Sequence, residues 1–316
     1  MDPSATLRAG LLGLARNDTM RRTVQKAPVT RDVVRRYVAG EGTEEAVRAS
    51  LELQDHGLLG TLDFLGEDCT DLEQARGTRD AYLTLLAALQ DAGLTENGGV
   101  EVSVKLSAVG QSLPDDGHKI GLEHAQQICT AAKAAGTTVT IDMEDHTTTD
   151  ATLEGVRDLR ADFPWVGAVL QAYLHRTEAD CRDLATAGSR IRLCKGAYDE
   201  PSSVAYQSKS QVDLSYVRCL KILMQGDGYP MVASHDPRLV QIAGSLADRY
   251  LRASDSFEYQ MLYGIRTAEQ QRLSDAGHQM RVYIPYGDEW YGYFMRRLAE
   301  RPANVAFFAR SLVSRG

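Results

Sequence analysis

Eight short β-rich segments recur along this sequence, and stretches with helical periodicity separate them. The β-rich segments are Leu58–Leu65, Val100–Leu106, Thr138–Asp142, Val166–Tyr173, Arg190–Cys194, Met231–Ser234, Phe257–Gln260 and Met280–Ile284. The helical patterns include His124–Ala135, Ala151–Ala161, Tyr206–Met224, Arg238–Tyr250 and Glu269–Ala276. Eight β–α units over about 230–250 residues are typical of a (β/α)8 barrel. A doubly wound sheet has about six strands, and its G-x-G-x-x-G turn is absent here. The sequence therefore predicts an α/β fold of the TIM-barrel type.

The chain is expected to form a single domain. Residues 1–55 read as helical, with a break between Gly40 and Gly42, and no low-complexity segment or linker divides the rest. We therefore predict an N-terminal helical segment, residues 1–55, that packs on a barrel formed by residues 56–316. Charged residues interrupt the first 22 positions, which is unlike a signal peptide.

Polar residues alternate with apolar ones in several of the predicted strands, so the two kinds point to opposite sides. Because the apolar side must face the outer helices, the polar side must point into the barrel. The polar set comprises Thr61, Asp63, Glu101, Ser103, Lys105, Thr138, Thr140, Asp142, Arg190, Arg192, Cys194, Glu258 and Gln260. Barrel interiors usually hold branched apolar side chains, and buried charges cost several kcal/mol unless they are paired. The charges therefore need an explanation.

Several polar residues lie at or near the C-terminal ends of their strands, where barrels of this type hold their active sites. They are Lys105, Asp142, Gln171, Arg192 and Gln260. The alternative is an internal salt-bridge network that binds no ligand. Such a network has no reason to gather at one end, so the pattern favours a ligand site.

Composition excludes several classes of partner. The net charge of −8 and the pI near 5.4 argue against nucleic acid or an anionic membrane as the main partner. The sequence contains no apolar run of about 18 residues, so no transmembrane helix is predicted. The five cysteines are scattered and read as reduced cytosolic thiols. The histidines lack metal-ligand spacing, so no metal is expected.

A pair of arginines lies near the C-terminus, on a helix predicted to follow Pro285 and Gly287. Tyr293, Arg296 and Arg297 stand at positions i, i+3 and i+4, so they share one helix face. Two guanidiniums beside a phenol can hold a carboxylate in bidentate fashion. An arginine pair on a helix is more often part of a solvated face, so this feature needs support from the rest of the chain.

Seven short motifs follow one another at the ends of the predicted strands and on this helix. They are Asp63–Glu67 (DFLGE), Val102–Ala108 (VSVKLSA), Ile141–Glu144 (IDME), Gln171–Tyr173 (QAY), Arg192–Tyr198 (RLCKGAY), Ser234–Asp236 (SHD) and Tyr293–Arg297 (YFMRR). In this order, over about residues 30–310, the chain resembles the proline dehydrogenases, specifically the short, single-activity, FAD-dependent bacterial enzymes.

The resemblance implies that L-proline is oxidised to 1-pyrroline-5-carboxylate by hydride transfer to FAD, with a quinone as electron acceptor. Arg296 and Arg297 would hold the proline carboxylate with Lys105 as a third cation, and Glu67 would gate the site by pairing with Arg296. The residues implied to bind substrate are Lys105, Tyr198, Tyr283, Tyr293, Arg296 and Arg297.

The resemblance also implies how FAD is held. Asp142 and Arg192 would be the catalytic pair, with Arg192 near flavin nitrogen 5, and Asp142 is suggested as a partner of Lys105. Gly196 would let backbone approach the cofactor closely. Asp236 and Pro237 predict a helix N-terminus suited to a flavin phosphate. The residues implied to contact FAD are Met143, Gln171, Lys195, Gly196, Ala197, Ser234 and His235.

The chain departs from the long bifunctional relatives in two respects. Asp199 follows Tyr198 where those relatives place an aromatic residue, so flavin stacking would differ on that side. We expect that no aldehyde dehydrogenase segment follows residue 316. The resemblance therefore implies a separate pyrroline-5-carboxylate/glutamate semialdehyde dehydrogenase as pathway partner. We expect a cytoplasmic location with at most peripheral contact at the inner face of the membrane.

Two alternatives stay open from the sequence. The first is another flavin-dependent barrel that reduces a folate or oxidises hydroxyproline or an N-substituted proline. Tyr283 argues against hydroxyproline, because its ring would occupy the space that the hydroxyl needs. The second is a non-enzymatic carboxylate-binding protein built on an inactive barrel.

Overall fold

Eight parallel strands close into a barrel in the computed structural model, which describes residues 34–66 and 69–300, apart from the side chains of Asn97 and residues 296–300. The strands are β1 (Leu59–Phe64), β2 (Val100–Val104), β3 (Val139–Ile141), β4 (Gly167–Gln171), β5 (Arg190–Cys194), β6 (Tyr229–Ala233), β7 (Glu258–Leu262) and β8 (Met280–Tyr286). They pair in chain order, and β8 closes the barrel against β1. The predicted TIM-type barrel is confirmed.

Helices alternate with the strands and enclose the barrel. They are α1 (Thr43–Asp55), α2 (Leu72–Asp91), α3 (Gly117–Ala135), α4 (Thr149–Asp162), α5 (Thr177–Leu184), α6 (Lys209–Gln225), α7 (Pro237–Arg249), α8 (Thr267–Asp275) and α9 (Trp290–Glu300). The five helices named from the sequence are confirmed with shifted ends. Of the predicted N-terminal helical segment, residues 1–33 lie outside the description, and α1 packs against β1 and α2. Among the described residues, none of the helices has both the length and the apolar character that crossing a bilayer requires.

Strand β8 continues two residues beyond its predicted end, through Pro285 to Tyr286. Proline lacks a backbone donor and normally interrupts a central strand. Here β7 has already ended, and beyond Tyr283 the ladder of β8 runs only with β1, as far as Phe64 opposite Tyr286. The carbonyl of Pro285 accepts instead from the backbone N–H of Ala39, at 2.9 Å. Ala39 of the N-terminal segment thus pairs with β8 at a position that β7 no longer reaches.

The inner and outer faces of the strands follow the predicted alternation. The residues that face outward belong to one apolar core shared with the helices; they include Val100, Val102, Val104, Val139, Ile141, Ile191 and Leu193. The polar residues point inward, where Glu101 on β2 reaches Arg190 and Arg192 on β5, across the barrel. The polar interior is therefore confirmed.

Glu101 is the centre of the network in the N-terminal half of the barrel. Its side chain is 1% exposed, and its oxygens lie 2.8 Å from Arg190 Nη2 and 3.4 Å from Arg192 Nη2. Three hydroxyls also donate to it, those of Thr61, Thr138 and Thr140. Burial alone would raise the pKa of Glu101, but the charges of Arg190, Arg281 and Arg192 outweigh it and lower that pKa. This half of the interior fits the salt-bridge interpretation.

A second buried ion pair, between Glu258 on β7 and Arg281 on β8, lies in the same network. Arg281 Nε is 2.9 Å from Glu258 Oε1, and the two side chains are 4% and 0% exposed. The guanidinium also donates to the backbone carbonyl of Gly60, at 2.7 Å. Burial disfavours the charged form of Arg281, but Glu258 and Glu101 outweigh it and raise its pKa. The pair stabilises the closure of β8 on β1 only as long as both charges are present.

We predict that Glu101→Gln lowers the free energy of unfolding by about 3–5 kcal/mol at pH 7, because it removes one partner of a buried ion pair. The folded-state pKa of Glu101 lies below the ordinary 4.5, so its contribution is present above pH 4.5 and is lost as pH falls toward the folded-state pKa. The difference between wild type and variant should therefore shrink in acid. Urea unfolding at pH 7 and pH 4 measures both effects.

The matched control is Glu178→Gln. Glu178 pairs with Arg182 and Arg218, but its side chain is 30% exposed, so its loss should change stability by less than about 1 kcal/mol. Equal effects of the two variants, or a difference between Glu101→Gln and wild type that does not depend on pH, would contradict the assignment.

Candidate active site

Arg192 on β5 is held in place by side chains from three other parts of the barrel. Its Nε donates to Gln260 Oε1 on β7 at 2.6 Å. Its Nη1 donates at 2.8 Å both to Ser103 Oγ on β2 and to Asp142 Oδ1, just after β3. Arg192 is 4% exposed. The contacts on Nε and Nη1 fix the plane of the guanidinium as well as its position, so the site holds an oriented positive charge.

The charge of Arg192 is retained despite burial. Removal from water disfavours the charged guanidinium, but the carboxylates of Asp142 and Glu101 outweigh it and raise the pKa of Arg192. Asp142 is 8% exposed, and its Oδ1 also accepts from Ser103 Oγ at 2.8 Å. The two residues predicted to be the catalytic pair thus contact each other directly.

Tyr283 on β8 completes this group. Its hydroxyl donates to Asp142 Oδ2 at 2.6 Å, and its ring centroid lies 5.2 Å from the guanidinium carbon of Arg192. Burial and the negative charges of Asp142 and Asp63 raise the pKa of Tyr283 well above its usual value, so the phenol stays protonated. The inward direction predicted for Tyr283 is confirmed. Tyr283 is half-buried, and its ring packs on the guanidinium of Arg192.

Lys105 follows the end of β2 and is paired with Asp63 on β1. Its Nζ lies 2.8 Å from both carboxylate oxygens of Asp63. The partner of Lys105 is thus Asp63 and not Asp142, which the sequence suggested. The oxygens of Asp142 instead accept from Arg192, Ser103 and Tyr283. Burial raises the pKa of Asp63 more than the ammonium of Lys105 lowers it. The partner of Lys105 was therefore mispredicted, because both β1 and β3 flank β2 and each presents an inward carboxylate.

The charges of Asp63, Lys105, Asp142 and Arg192 sum to zero. A bound carboxylate therefore needs positive charge from elsewhere, which the sequence assigns to Arg296 and Arg297. Their backbone belongs to α9, which begins shortly after the C-terminal end of β8. The C-terminal ends of the eight strands form the mouth of the barrel. The side chains of Arg296 and Arg297, and the whole of Glu67, lie outside the described residues.

The third member of that predicted helix face, Tyr293, is buried in an apolar cluster at the start of α9. The cluster joins this helix to the N-terminal segment and to the end of β1; its members are Val34, Val38, Leu65, Trp290, Tyr291, Tyr293, Phe294 and Met295. The face that carries Tyr293 is therefore packed on protein and is not solvated at that position.

Gln171 ends β4 and fixes the loop that follows β3. Its Nε2 donates to the backbone carbonyl of Glu144 at 2.6 Å. The carboxylate of Glu144 in turn accepts from Ser107 Oγ at 2.6 Å. Met143, which stands between Asp142 and Glu144, is 6% exposed. The loop carrying Asp142 and Met143 is thus attached to its neighbours on both sides.

The loop after β5 contains Lys195, Gly196, Ala197 and Tyr198. Gly196 has φ +107°, and a Cβ there would lie 2.2 Å from the ring of Tyr173. The backbone at Gly196 thus approaches the ring of Tyr173 closely, and its predicted approach to the cofactor stays a prediction. Lys195 Nζ lies 2.5 Å from Asp213 Oδ1 and 3.3 Å from Asp236 Oδ2. Ala197 is exposed and Tyr198 half-buried.

Ser234 and His235 follow β6 and lead into α7. Ser234 Oγ accepts from the backbone N–H of Asp236 at 3.1 Å. The carboxylate of Asp236 caps α7 by accepting from Arg238 N, and Pro237 occupies the first turn, so the predicted N-terminus is confirmed. His235 Nε2 accepts from Leu262 N at 2.9 Å, which ties this loop to β7.

Sequence reasoning missed several residues of this region. Asp63 was placed inside the barrel but was given no role, although its motif and its alternation with Thr61 were visible. Glu200, His146 and Tyr173 form a hydrogen-bonded group in which Glu200 and Tyr173 are buried and His146 is half-buried. Its signal in the sequence is weak, because the three residues come from different loops that only the closed barrel brings together.

Comparison with known proteins extends this geometry. The proline dehydrogenase family model matches residues 46–310. The chain is 40% identical to proline dehydrogenase of Deinococcus radiodurans over 89% of this chain and 90% of that protein. It is 36% identical to proline dehydrogenase 1 of Bacillus subtilis over 98% and 100% of the two chains.

Solved structures show the same fold. Proline utilization A (PutA) of Bdellovibrio bacteriovorus, inactivated by N-propargylglycine, superposes with a TM-score of 0.78 and 25% identity. The match covers 86% of this chain and 33% of that one, so this chain spans about a third of the PutA structure. The family model covers more than half of the sequence, and the two relatives match nearly end to end. This chain belongs to the proline dehydrogenase family.

Proposed function

We propose that this chain oxidises L-proline to 1-pyrroline-5-carboxylate with noncovalently bound FAD at the C-terminal mouth of the barrel, and that a quinone takes up the electrons. Family membership supports proline oxidation itself. The finer proposal rests on one observation, the oriented guanidinium of Arg192 and its contacts with Asp142, Ser103 and Gln260.

The polar groups at the mouth fit a flavin. A flavin ring needs hydrogen-bond donors along its polar edge, and its phosphates need cations or backbone N–H groups. Arg192 and Gln171 supply a guanidinium and an amide, and Lys195 lies beside the N-terminus of α7. The residues that would hold FAD are Met143, Gln171, Lys195, Gly196, Ala197, Ser234 and His235. When bound, FAD accepts the hydride that proline loses.

In this proposal Arg192 acts through its fixed charge. A positive charge that is already oriented stabilises negative charge developing beside it without reorganisation. Asp142 keeps the guanidinium charged and holds Tyr283 by its hydroxyl. Asp142 and Arg192 are therefore the proposed catalytic residues, and their electrostatic contribution depends on exclusion of water from the mouth.

The substrate would lie between Tyr283 and α9. Arg296 and Arg297 would bind the carboxylate, Lys105 would add a third cation, and Glu67 would gate access through Arg296. Tyr198, Tyr283 and Tyr293 would enclose the apolar ring. The apolar cluster at the start of α9 supports this arrangement, because it anchors the helix that carries both arginines.

The proline nitrogen must lose a proton before its lone pair can assist hydride loss. Tyr283 is an unsuitable base, since its pKa is raised well above the usual value. Both oxygens of Asp142 are engaged by Arg192, Ser103 and Tyr283. We therefore assign this proton to solvent. The product would pass to a separate pyrroline-5-carboxylate/glutamate semialdehyde dehydrogenase.

The cofactor assignment predicts that the purified protein is yellow and that L-proline bleaches the flavin band under anaerobic conditions. Acid precipitation should release FAD into the supernatant, because the attachment is noncovalent. Absorbance spectra and chromatography of the released flavin measure both. Recovery of FMN, colour that stays in the pellet, or a flavin that L-proline leaves oxidised would contradict the proposal.

The position of Tyr283 predicts substrate selectivity. We expect Tyr283→Ser to weaken proline binding and to shift the ratio of kcat/KM for L-proline to that for trans-4-hydroxyproline by about 1–3 kcal/mol toward hydroxyproline, because the ring no longer fills the space of the hydroxyl. Steady-state kinetics with both substrates give the ratio.

Tyr283→Phe is the matched control for selectivity, since it keeps the ring and removes only the hydrogen bond to Asp142. It should leave the ratio within about twofold. If Tyr283→Ser also left the ratio unchanged, Tyr283 would be packing of the barrel interior and would not select the substrate.

A further inference from the structure

Glu200 carries a buried carboxylate that two neighbouring loops contact. Its side chain is 2% exposed. Oε1 accepts from the backbone N–H of His146 at 2.8 Å and from the hydroxyl of Tyr173 at 3.3 Å, and Oε2 pairs with His146 Nδ1. The residue itself belongs to the loop after β5, whereas His146 follows β3 and Tyr173 follows β4. One carboxylate thus joins three consecutive loops of the mouth.

Tyr173 carries this connection to the backbone of the β5 loop. Its N–H donates to the carbonyl of Lys195 at 2.9 Å. Its ring lies so close to Gly196 that a methyl group there would overlap it. The hydroxyl at the far end of the same ring is held by Glu200. The position of Glu200 therefore sets the position of the ring against which Gly196 packs.

Each of these three loops carries or directly follows a residue proposed to contact FAD. Met143 lies three residues before His146, Gln171 two residues before Tyr173, and Gly196 four residues before Glu200. The loops after β3 and β4 are further joined by the hydrogen bond from Gln171 to Glu144. A change in the spacing of these loops would move Met143, Gln171 and Gly196 relative to one another.

A buried carboxylate costs several kcal/mol unless donors offset the loss of water. Here the offset comes from the N–H and ring nitrogen of His146 and the hydroxyl of Tyr173. We propose that Glu200 is a positioning residue that holds the loops after β3, β4 and β5 at the spacing that FAD binding requires. This inference rests on the proposed function, since it presumes that FAD binds at these loops.

The test compares FAD retention in Glu200→Ala, Glu200→Gln and His146→Ala holoenzymes with wild type. Glu200→Ala leaves buried donors without an acceptor, so FAD should dissociate about ten- to hundredfold more readily. His146→Ala should weaken retention about three- to tenfold, because only the ring contact is lost. Glu200→Gln keeps Oε1 as an acceptor, so it should retain FAD nearly as well as wild type. Serial dilution followed by flavin fluorescence gives the dissociation constants.

Two further measurements separate positioning from general stability. At saturating FAD, the KM for L-proline should stay within about threefold of wild type, while the visible spectrum of the bound flavin shifts in Glu200→Ala. Glu178→Gln, which alters one ion pair within α5 and one between α5 and α6, should leave both the spectrum and FAD retention unchanged.

The outcomes discriminate between the two proposals. Wild type without FAD would refute the proposed function before any variant is compared. If wild type binds FAD and both Glu200→Ala and His146→Ala retain it within twofold, Glu200 supports only the fold and the inference is wrong. If Glu200→Ala does not fold, His146→Ala decides alone by the same criterion.

Discussion

A guanidinium buried inside a barrel has to be surrounded by acceptors, and Arg192 imposes that requirement on the strands around it. Four of its contacts come from β2, β7 and the end of β3, through Glu101, Ser103, Gln260 and Asp142. Each of these side chains must point inward, which fixes the inner face of its strand, since adjacent residues of a strand alternate between faces. The apolar outer faces then follow, and with them the packing of the helices.

The same charges divide the interior into two regions with different tasks. In the N-terminal half, Glu101 and Glu258 are enclosed by Arg190 and Arg281 and by hydroxyls, and these groups satisfy one another. Toward the C-terminal ends of the strands, Asp142 and Arg192 are paired, and Tyr283 contacts both of them: its hydroxyl donates to Asp142 and its ring lies over Arg192. We infer that the network in the N-terminal half holds the barrel closed. The pair of Asp142 and Arg192 would instead act on a bound ligand. Arg192 belongs to both regions and connects stability with the proposed chemistry.

The fold was predictable from sequence because a strand's alternation reports directly which face is buried. The eight strands, the polar interior and the inward position of Tyr283 were all recovered in this way. The partner of Lys105 was not, since strand alternation gives no register between neighbouring strands, and register decides between Asp63 and Asp142. The packing of Gly196 on Tyr173, and the group around Glu200, depend on loops from three strands that meet only after closure. The short helix α5 was expected after β4 but its bounds were not given, and it has no side-chain cap that would mark its start.

The central claim is that Asp142 and Arg192 act as one unit in proline oxidation. A double-mutant cycle with Asp142→Asn and Arg192→Gln tests it most directly, with the anaerobic rate of flavin reduction by L-proline as the readout. Loss of a fixed electrostatic contact should slow each single variant about 10²- to 10³-fold. Relative to wild type, the double variant should be slowed by less than the product of the two single losses, with an interaction energy of about 0.5–3 kcal/mol. Strictly multiplicative losses, or single variants that reduce the flavin at the wild-type rate, would contradict the account.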